Sequence, residues 1–269
     1  MRVITINGLD IHYREAGQGR PVVLVHGFTG NSRNWALTVP ALSPYYRLLS
    51  PDLRGHGLSA KPVLPEDYAL EAMAEDIVAL IGLLGLEGCH LVGHSMGGMI
   101  AQLVALKAPH LLRSLVLVDT SAEPPGALRT QERARLVRVA MEQGMEAVWE
   151  AQLALNPMAD ELRSQPELLQ SWKEQFLMTS REAYIYCAQH IANRRPILEE
   201  LKGLRMPALI VCGELDEPFV DPSHRMHEAI PGSRLEIIPG CGHSPQIERP
   251  QEFNRILLSF LREVDGAIP

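Results

Sequence analysis

Short apolar runs alternate along this chain with longer segments of helical periodicity, and this alternation constrains the fold more than any other feature. Pro21–Val25 and Leu115–Val118 are almost entirely aliphatic and β-branched, and each ends at polar residues. Runs of this kind are typical of strands buried on both faces of a parallel sheet. Over residues 68–84, apolar side chains instead recur at helical spacing. The alternation predicts an α/β fold with a mainly parallel sheet and helices on both of its faces.

The same reading assigns the remaining elements. Asn7-Gly8 is a turn signal between two opening strands. Further strands are predicted at Val3–Ile6, Leu9–Arg14, Tyr46–Ser50, His90–Val92, Ala208–Cys212 and Leu235–Ile238. Further helices are predicted at Met96–Leu106, His224–Ala229 and Pro250–Glu263, the last with a proline in its first turn, where no N–H is needed.

Residues 121–203 contain no convincing strand, although they lie between two predicted strands. Prolines such as Pro157, which follows Asn156, break the stretch into several helices, because the residue before a proline avoids the helical region. We expect residues 1–120 and 204–269 to form a core domain and residues 121–203 to form a helical cap inserted between strands six and seven. The alternative is a set of extra helices packed along the sheet, but long insertions at loop positions tend to carry function.

Composition excludes several classes of function. A formal net charge of -7 disfavours wide contact with nucleic acid or an anionic membrane, since both need a dense basic surface. The first residues lack the apolar stretch of a signal peptide, and no segment is long and apolar enough for a membrane span. The four cysteines form no CxxC pair, which predicts buried free thiols and neither a zinc site nor disulfides. We expect a cytoplasmic monomer or small homo-oligomer.

The segment Gly93-His94-Ser95-Met96-Gly97-Gly98 carries the strongest chemical signal. It is a G-x-S-x-G pattern between a predicted strand and an apolar helix, the context that a nucleophile elbow requires. Glycines flank Ser95 because the turn is too sharp for bulky neighbours, and the helix dipole points at the charge that develops there. Ser95 is the candidate nucleophile, and the Met96 N–H is placed to stabilise an oxyanion. An incidental serine in a glycine-rich connection is the alternative.

A serine needs a base and an orienting acid, and on such a fold these follow in the order serine, acid, histidine. His243, in a short glycine-rich loop after the last predicted strand, is the candidate base. Asp216 is our choice of acid, to hold the tautomer and orientation of His243. Glu214, Glu217 and Asp119, which all follow predicted strands, remain open as alternatives.

Two other loops are rich in polar residues. His26-Gly27-Phe28 ends an early strand, where a second oxyanion donor is needed, and we assign that donor to the Phe28 backbone. His26 itself is expected to hold the loop by hydrogen bonds. The loop at residues 51–59 combines charge, glycine and histidine, and a buried ion-pair network explains it better than a metal or acid–base role. His224 and His227 lack metal-site partners and fit a solvated helix face.

The chain resembles the α/β-hydrolase superfamily in five segments: HGFTG, DLRGHGLS, GHSMGG, GELD and GCGH. The resemblance is closest to the capped branch of carboxylesterases, 3-oxoadipate enol-lactonases and C–C bond hydrolases. The motifs run from about Val22 to the C-terminal helix. The resemblance implies an eight-stranded sheet, a helical cap, the triad Ser95, Asp216 and His243, and oxyanion donors at Phe28 and Met96. It implies no cofactor and no metal. A nucleophilic aspartate would mark a haloalkane dehalogenase or epoxide hydrolase; Ser95 argues against both.

The cap supplies candidates for an apolar substrate pocket, although amphipathic helices should bury about half of them as cap core. The candidates are Trp149, Leu153, Met158, Trp172, Phe176 and Tyr184. Arg181, Arg194 and Arg195 are candidates for binding a substrate carboxylate. The leading hypothesis is hydrolysis of small carboxylic esters; the alternative is an enol-lactone or C–C bond hydrolase, or a menaquinone-pathway-type lyase, acting on an anionic substrate. A ligand-binding receptor on the same scaffold is a third hypothesis.

Overall fold

The computed structural model of this chain describes residues 1–155 and 166–266. Its strands are β1 (Arg2–Ile6), β2 (Leu9–Ala16), β3 (Pro21–Val25), β4 (Arg47–Pro51), β5 (Cys89–His94), β6 (Leu112–Val118), β7 (Ala208–Gly213) and β8 (Arg234–Ile238). They form one sheet in the order β1-β2-β4-β3-β5-β6-β7-β8. Only β1–β2 and β2–β4 pair antiparallel; every other pair is parallel. The mainly parallel eight-stranded sheet is therefore confirmed.

The helices cover both faces of this sheet. They are α1 (Val39–Leu42), α2 (Leu70–Leu83), α3 (Met96–Lys107), α4 (Ala127–Gln143), α5 (Met145–Leu155), α6 (Pro166–Leu177), α7 (Arg181–Asn193), α8 (Leu198–Leu201), α9 (Glu217–Ala229), α10 (Pro245–Glu248) and α11 (Pro250–Val264). In β6, Leu115 and Leu117 join the core under α2 and α3, whereas Val116 and Val118 join the core under α11. The two-residue period of a strand thus divides its side chains between two hydrophobic cores.

Two element boundaries differ from the prediction for identifiable reasons. Helix α9 begins at Glu217 rather than near His224, because Pro218 in its first turn costs no hydrogen bond and Pro222 is accommodated within the helix. Strand β6 begins at Leu112, three residues before the aliphatic run, because Leu112 pairs with Cys89 and Ser114 pairs with His90, while Arg113 is left unpaired at an irregularity of the register. Here tertiary context overrides local propensity.

The described residues between β6 and β7 contain helices and no strand. Helices α4, α5, α6 and α7 share a small core of their own around Val148, Phe176 and Tyr184, and the Phe28 ring packs against it. The division into a core domain and a cap at residues 121–203 stays a prediction that this separate core supports.

All four cysteines are free and buried, as predicted. Within the described ranges, every helix is too short or too polar to cross a lipid bilayer.

Candidate active site

Ser95 lies in a sharp turn where β5 ends and α3 begins. Its backbone adopts φ 53° and ψ -115°, a left-handed conformation that a residue with a side chain rarely occupies. Two contacts hold it there: the Ser95 N–H donates to the Val118 carbonyl at 2.8 Å, and the Thr120 hydroxyl donates to the Ser95 carbonyl, also at 2.8 Å. Strain of this kind persists only where the surroundings enforce it, and it is a marker of functional sites.

The glycines around Ser95 are required by close approach of backbone atoms. A Cβ on Gly97 would lie 2.3 Å from the Val25 carbonyl oxygen, and one on Gly93 would lie 2.3 Å from the Gly97 carbonyl oxygen. Both distances are far shorter than carbon–oxygen contacts allow, so neither position accepts a side chain. The elbow pattern is therefore a packing requirement of this strand–helix junction.

The structure brings His243 and Asp216 to Ser95 from loops more than a hundred residues away. The His243 Nε2 lies 3.0 Å from the Ser95 Oγ, and the His243 Nδ1 lies 2.7 Å from the Asp216 Oδ2. In the tautomer that satisfies both bonds, the Ser95 hydroxyl donates to Nε2 and the Nδ1–H donates to Asp216. Burial opposes ionisation of Asp216, but the hydrogen bond and the charge of His243 keep its pKa below the usual value. The acid is thus held as a carboxylate.

The loop that carries His243 is fixed by polar groups that sequence reasoning did not single out. The His94 Nε2 donates to the His243 carbonyl at 2.7 Å. The Glu248 carboxylate accepts from the backbone N–H groups on both sides of His243, at 2.7 and 2.9 Å. Glu214, an alternative acid in the sequence analysis, instead accepts from the Gly240 N–H at 2.8 Å. The histidine side of the site is therefore rigid before any ligand binds.

Asp119, another alternative acid, lies beside Asp216 without contacting His243. Its Oδ1 accepts from the Gly213 N–H at 2.9 Å, and its Oδ2 is buried with no hydrogen-bond partner among the described residues. Burial, and next the negative charge of Asp216, raise the pKa of Asp119 well above its usual value. Asp119 therefore binds the backbone of β7, whereas Asp216 binds the His243 ring.

Asp119, Asp216 and the Cys212 thiol bring three potential metal-ligand atoms within 4.8 Å of one another. Their chemistry does not suit an ion. Asp216 is hydrogen-bonded to His243, and burial raises the pKa of the Cys212 thiol, which disfavours the thiolate that binds metals.

The oxyanion donors that the sequence analysis assigns are the backbone N–H groups of Phe28 and of Met96, which directly follows Ser95. In the part of the chain that the structure describes, neither N–H donates to a protein acceptor. Gly27, which precedes Phe28, is so close to the elbow that a Cβ there would lie 3.1 Å from the Ser95 Cβ. Their role in stabilising an oxyanion stays a prediction.

The loop at residues 51–59 is structural, as expected. Asp52 accepts from the backbone N–H groups of Ser32 and Leu58 at 2.7 and 2.9 Å, and Arg54 forms a two-pronged ion pair with Asp76. The His26 Nε2 accepts from the N–H of the residue after Asp52 at 2.9 Å, so His26 ties the oxyanion loop to this loop. His224 and His227 are exposed on α9.

Five of the six predicted pocket residues lie in the apolar interior between helices α4 to α7. Trp149 and Phe176 pack with centroids 5.5 Å apart, and Tyr184 contacts the Phe28 ring at 5.0 Å. Leu153 and Trp172 form a second small cluster. Met158 lies outside the described residues. Their role in binding substrate stays a prediction, with Tyr184 nearest to the serine loop through Phe28.

The three arginines that the sequence suggests for binding a substrate carboxylate lie in two different environments. Arg181 and Arg195 are exposed and pair with Glu182 and Glu200, so they are unsuited to a buried carboxylate site. Arg194 instead lines a pocket of about 280 Å³ beside the elbow helix. Two arginines of α4, Arg129 and Arg133, line the same pocket and were not singled out from the sequence.

The family described as alpha/beta hydrolase fold matches residues 20–250 of the chain. A 3-oxoadipate enol-lactonase from Acinetobacter baylyi is 26% identical over 96% of this chain and 96% of its own length. Two solved structures are similar over nearly their whole length. A thermophilic esterase from Thermogutta terrifontis has a TM-score of 0.86 and 29% identity, covering 98% of each chain. An enol-lactonase from Burkholderia xenovorans has a TM-score of 0.87 and 27% identity, covering 97% of this chain and 99% of its own.

The sheet order, the strained serine between β5 and α3, and the family match agree. This chain is an α/β-hydrolase-fold protein, and its relatives and their shared architecture make it a hydrolase.

Proposed function

We propose that this protein hydrolyses small carboxylic esters through an acyl-enzyme on Ser95. The observation that carries the proposal is the continuous hydrogen-bonded chain from the Ser95 Oγ through the His243 ring to Asp216, with distances of 3.0 and 2.7 Å. A serine hydroxyl becomes a useful nucleophile only when such a base takes its proton.

Each step uses groups already in position. Ser95 attacks the acyl carbon while the His243 Nε2 takes its proton, and the Asp216 carboxylate stabilises the imidazolium that forms. The negative oxygen receives hydrogen bonds from the Phe28 and Met96 N–H groups. His243 then protonates the leaving alkoxide, and the ester C–O bond breaks. A water molecule, deprotonated by His243, attacks the acyl-enzyme and releases the acid and Ser95.

Hydrolysis of p-nitrophenyl acetate and butyrate tests this proposal directly. We expect Ser95→Ala to lower kcat/KM by at least about 10⁴-fold, because it removes the hydroxyl that is hydrogen-bonded to the His243 Nε2. Ser43→Ala, at the opposite end of the sheet, should retain wild-type activity. Equal activity of the Ser95→Ala and wild-type proteins would overturn the proposal.

A second candidate keeps the same three residues and changes the bond: hydrolysis of an enol-lactone or a C–C bond in an anionic substrate. It is favoured by the half-buried Arg133, whose guanidinium carbon lies 5.6 Å from the Phe28 ring. Two similarities also support an anionic substrate: the chain is similar to the enol-lactonases named above, and the similar esterase is described with malate bound. Release of acid from an enol-lactone faster than from the p-nitrophenyl esters would select this candidate.

A further inference from the structure

Three arginines converge beside the proposed catalytic residues without carboxylate partners of their own. Arg129 and Arg133 come from α4, and Arg194 follows α7; all three line the pocket of about 280 Å³. No ion pair within 4.0 Å joins any of them to a carboxylate of the described residues. Like charges placed together in a partly desolvated pocket repel one another, so this arrangement is unfavourable unless an anion joins it.

Arg133 is the clearest case of an arginine that lacks a hydrogen-bond acceptor among the described residues. Its Nη1 atom is buried and has no hydrogen-bond partner in the described ranges. Burial, and next the charge of Arg129, lower the pKa of Arg133. An arginine stays charged in proteins, so this buried N–H group is a donor for which the described part of the chain provides no acceptor.

Arg194 is fixed rather than neutralised. Its guanidinium donates to the backbone carbonyls of Ile191, at 2.6 Å, and of Glu123. Burial, and next the charges of Arg133 and Arg129, lower the pKa of Arg194 to about 10. The carboxylate of Glu123 itself pairs with Arg225 at 3.0 Å, on the same rim of the pocket.

The remaining acidic groups of the pocket lie at its exposed edge. Glu217 and Asp221 line it from α9 and are exposed to solvent. Water screens charges at such positions, so they offset the inner guanidinium groups only weakly.

The pocket lies one aromatic ring away from the reacting groups. The Arg129 guanidinium is 4.7 Å from the centre of the Phe219 ring, and that ring stacks on His243 with centroids 5.0 Å apart. Met99, which also lines the pocket, follows Ser95 by one turn of α3. A ligand held here is therefore separated from the His243 ring by the Phe219 ring, and from Ser95 by one turn of α3.

We propose that Arg129, Arg133 and Arg194 bind a carboxylate of the substrate whose ester or lactone bond Ser95 cleaves. The inference rests on the proposed function and narrows it to substrates that carry a carboxylate a few atoms from the scissile carbonyl. Guanidinium groups suit this role because their planar donor fork matches the two oxygens of a carboxylate.

The test compares monomethyl succinate with methyl levulinate, a neutral ester of nearly the same shape, by following methanol release. We expect wild-type protein to prefer the anionic ester, and Arg133→Met to lower that preference at least tenfold, chiefly through KM. Methionine keeps the length and apolar stem of the side chain while removing its charge. Arg135→Met, on an exposed position of the same helix, is the matched control and should change nothing.

A binding measurement separates the two proposals. Calorimetric titration of free succinate into Ser95→Ala protein needs no hydrolysis, and we expect binding that Arg133→Met weakens at least tenfold and Arg135→Met does not. Ester hydrolysis without preference for the anionic ester and without succinate binding would overturn the carboxylate site alone. Succinate binding in a protein that cleaves no ester would overturn the proposed function and keep the site.

Discussion

The end of the sheet that carries Ser95 and the arginine pocket beside it are built on opposite principles. Around Ser95, the side chains of the proposed triad have partners: the Ser95 hydroxyl and Asp216 both contact His243, and Glu248 accepts from the backbone on both sides of that histidine. In the pocket, Arg133 has a buried donor that finds no partner among residues 1–155 and 166–266. The proposed triad is thus held by contacts within the chain, whereas the pocket presents arginines that we propose bind an anion. We take the first to supply the chemistry and the second to supply the substrate preference.

The largest effect on kcat is expected from removal of the proposed base, His243. We expect His243→Ala to lower kcat about 10⁴-fold or more on neutral and anionic esters alike, because both need the same proton acceptor. Rates on the matched ester pair check this. A loss confined to the anionic ester would mean that His243 recognises substrate charge and that the two regions are not separate.

The pair of buried carboxyl groups gives the next largest effect. We expect Asp216→Asn to lower kcat by about 10³- to 10⁴-fold, since an amide cannot stabilise the imidazolium. Asp119→Asn should cost less than about tenfold, because an amide can still accept from the Gly213 N–H and Asp216 is the residue that binds His243. Equal losses in the two variants would contradict the assignment of Asp216 as the acid.

The rigidity of the elbow is tested by two glycine substitutions. We expect Gly97→Ala to lower the free energy of unfolding by about 1–3 kcal/mol, because its Cβ would meet the Val25 carbonyl. Gly82→Ala is the matched control in the exposed face of α2, where a Cβ meets no atom within 4 Å; it should raise the same quantity by up to about 1 kcal/mol. Urea unfolding measures both. A neutral Gly97→Ala would show that the elbow is not tightly packed.

Acid should destabilise the folded chain through its buried histidines. Burial lowers the pKa of His56 and His94 to about 3 and that of His90 to about 4. Between those values and about 6.5, the unfolded chain binds protons that the folded chain does not, so stability falls as pH falls. We expect each histidine to remove at most about 2 kcal/mol between pH 6.5 and pH 5. Urea midpoints at these two pH values check this, and a flat profile would contradict it.

Local sequence predicts the catalytic residues better than it predicts the pocket. Ser95 and His243 stand in short glycine-rich motifs whose geometry is set by their immediate neighbours. Asp216 could be chosen only among several acids, because the choice depends on which loop reaches His243. In the structure, Glu214 accepts a hydrogen bond from the Gly240 N–H, and the buried Asp119 accepts one from the Gly213 N–H.

The arginines that line the pocket could not be predicted from local sequence in the same way. Helix α4 is rich in charged residues on several faces, so no periodicity marks Arg129 and Arg133 as facing inward. Their orientation depends on how α4 packs against α7 and Phe28, which is a tertiary property. Among the three arginines that the sequence did suggest, only Arg194 faces the pocket.

The central claim is that Ser95 is the nucleophile of this protein, and covalent capture tests it most directly. Wild-type protein is treated with a fluorophosphonate, and its intact mass and modified peptide are measured. We predict one adduct per chain, on Ser95, that is lost in His243→Ala because the hydroxyl is then no longer activated. An unmodified Ser95 in active protein, or an adduct on another residue, would contradict the account.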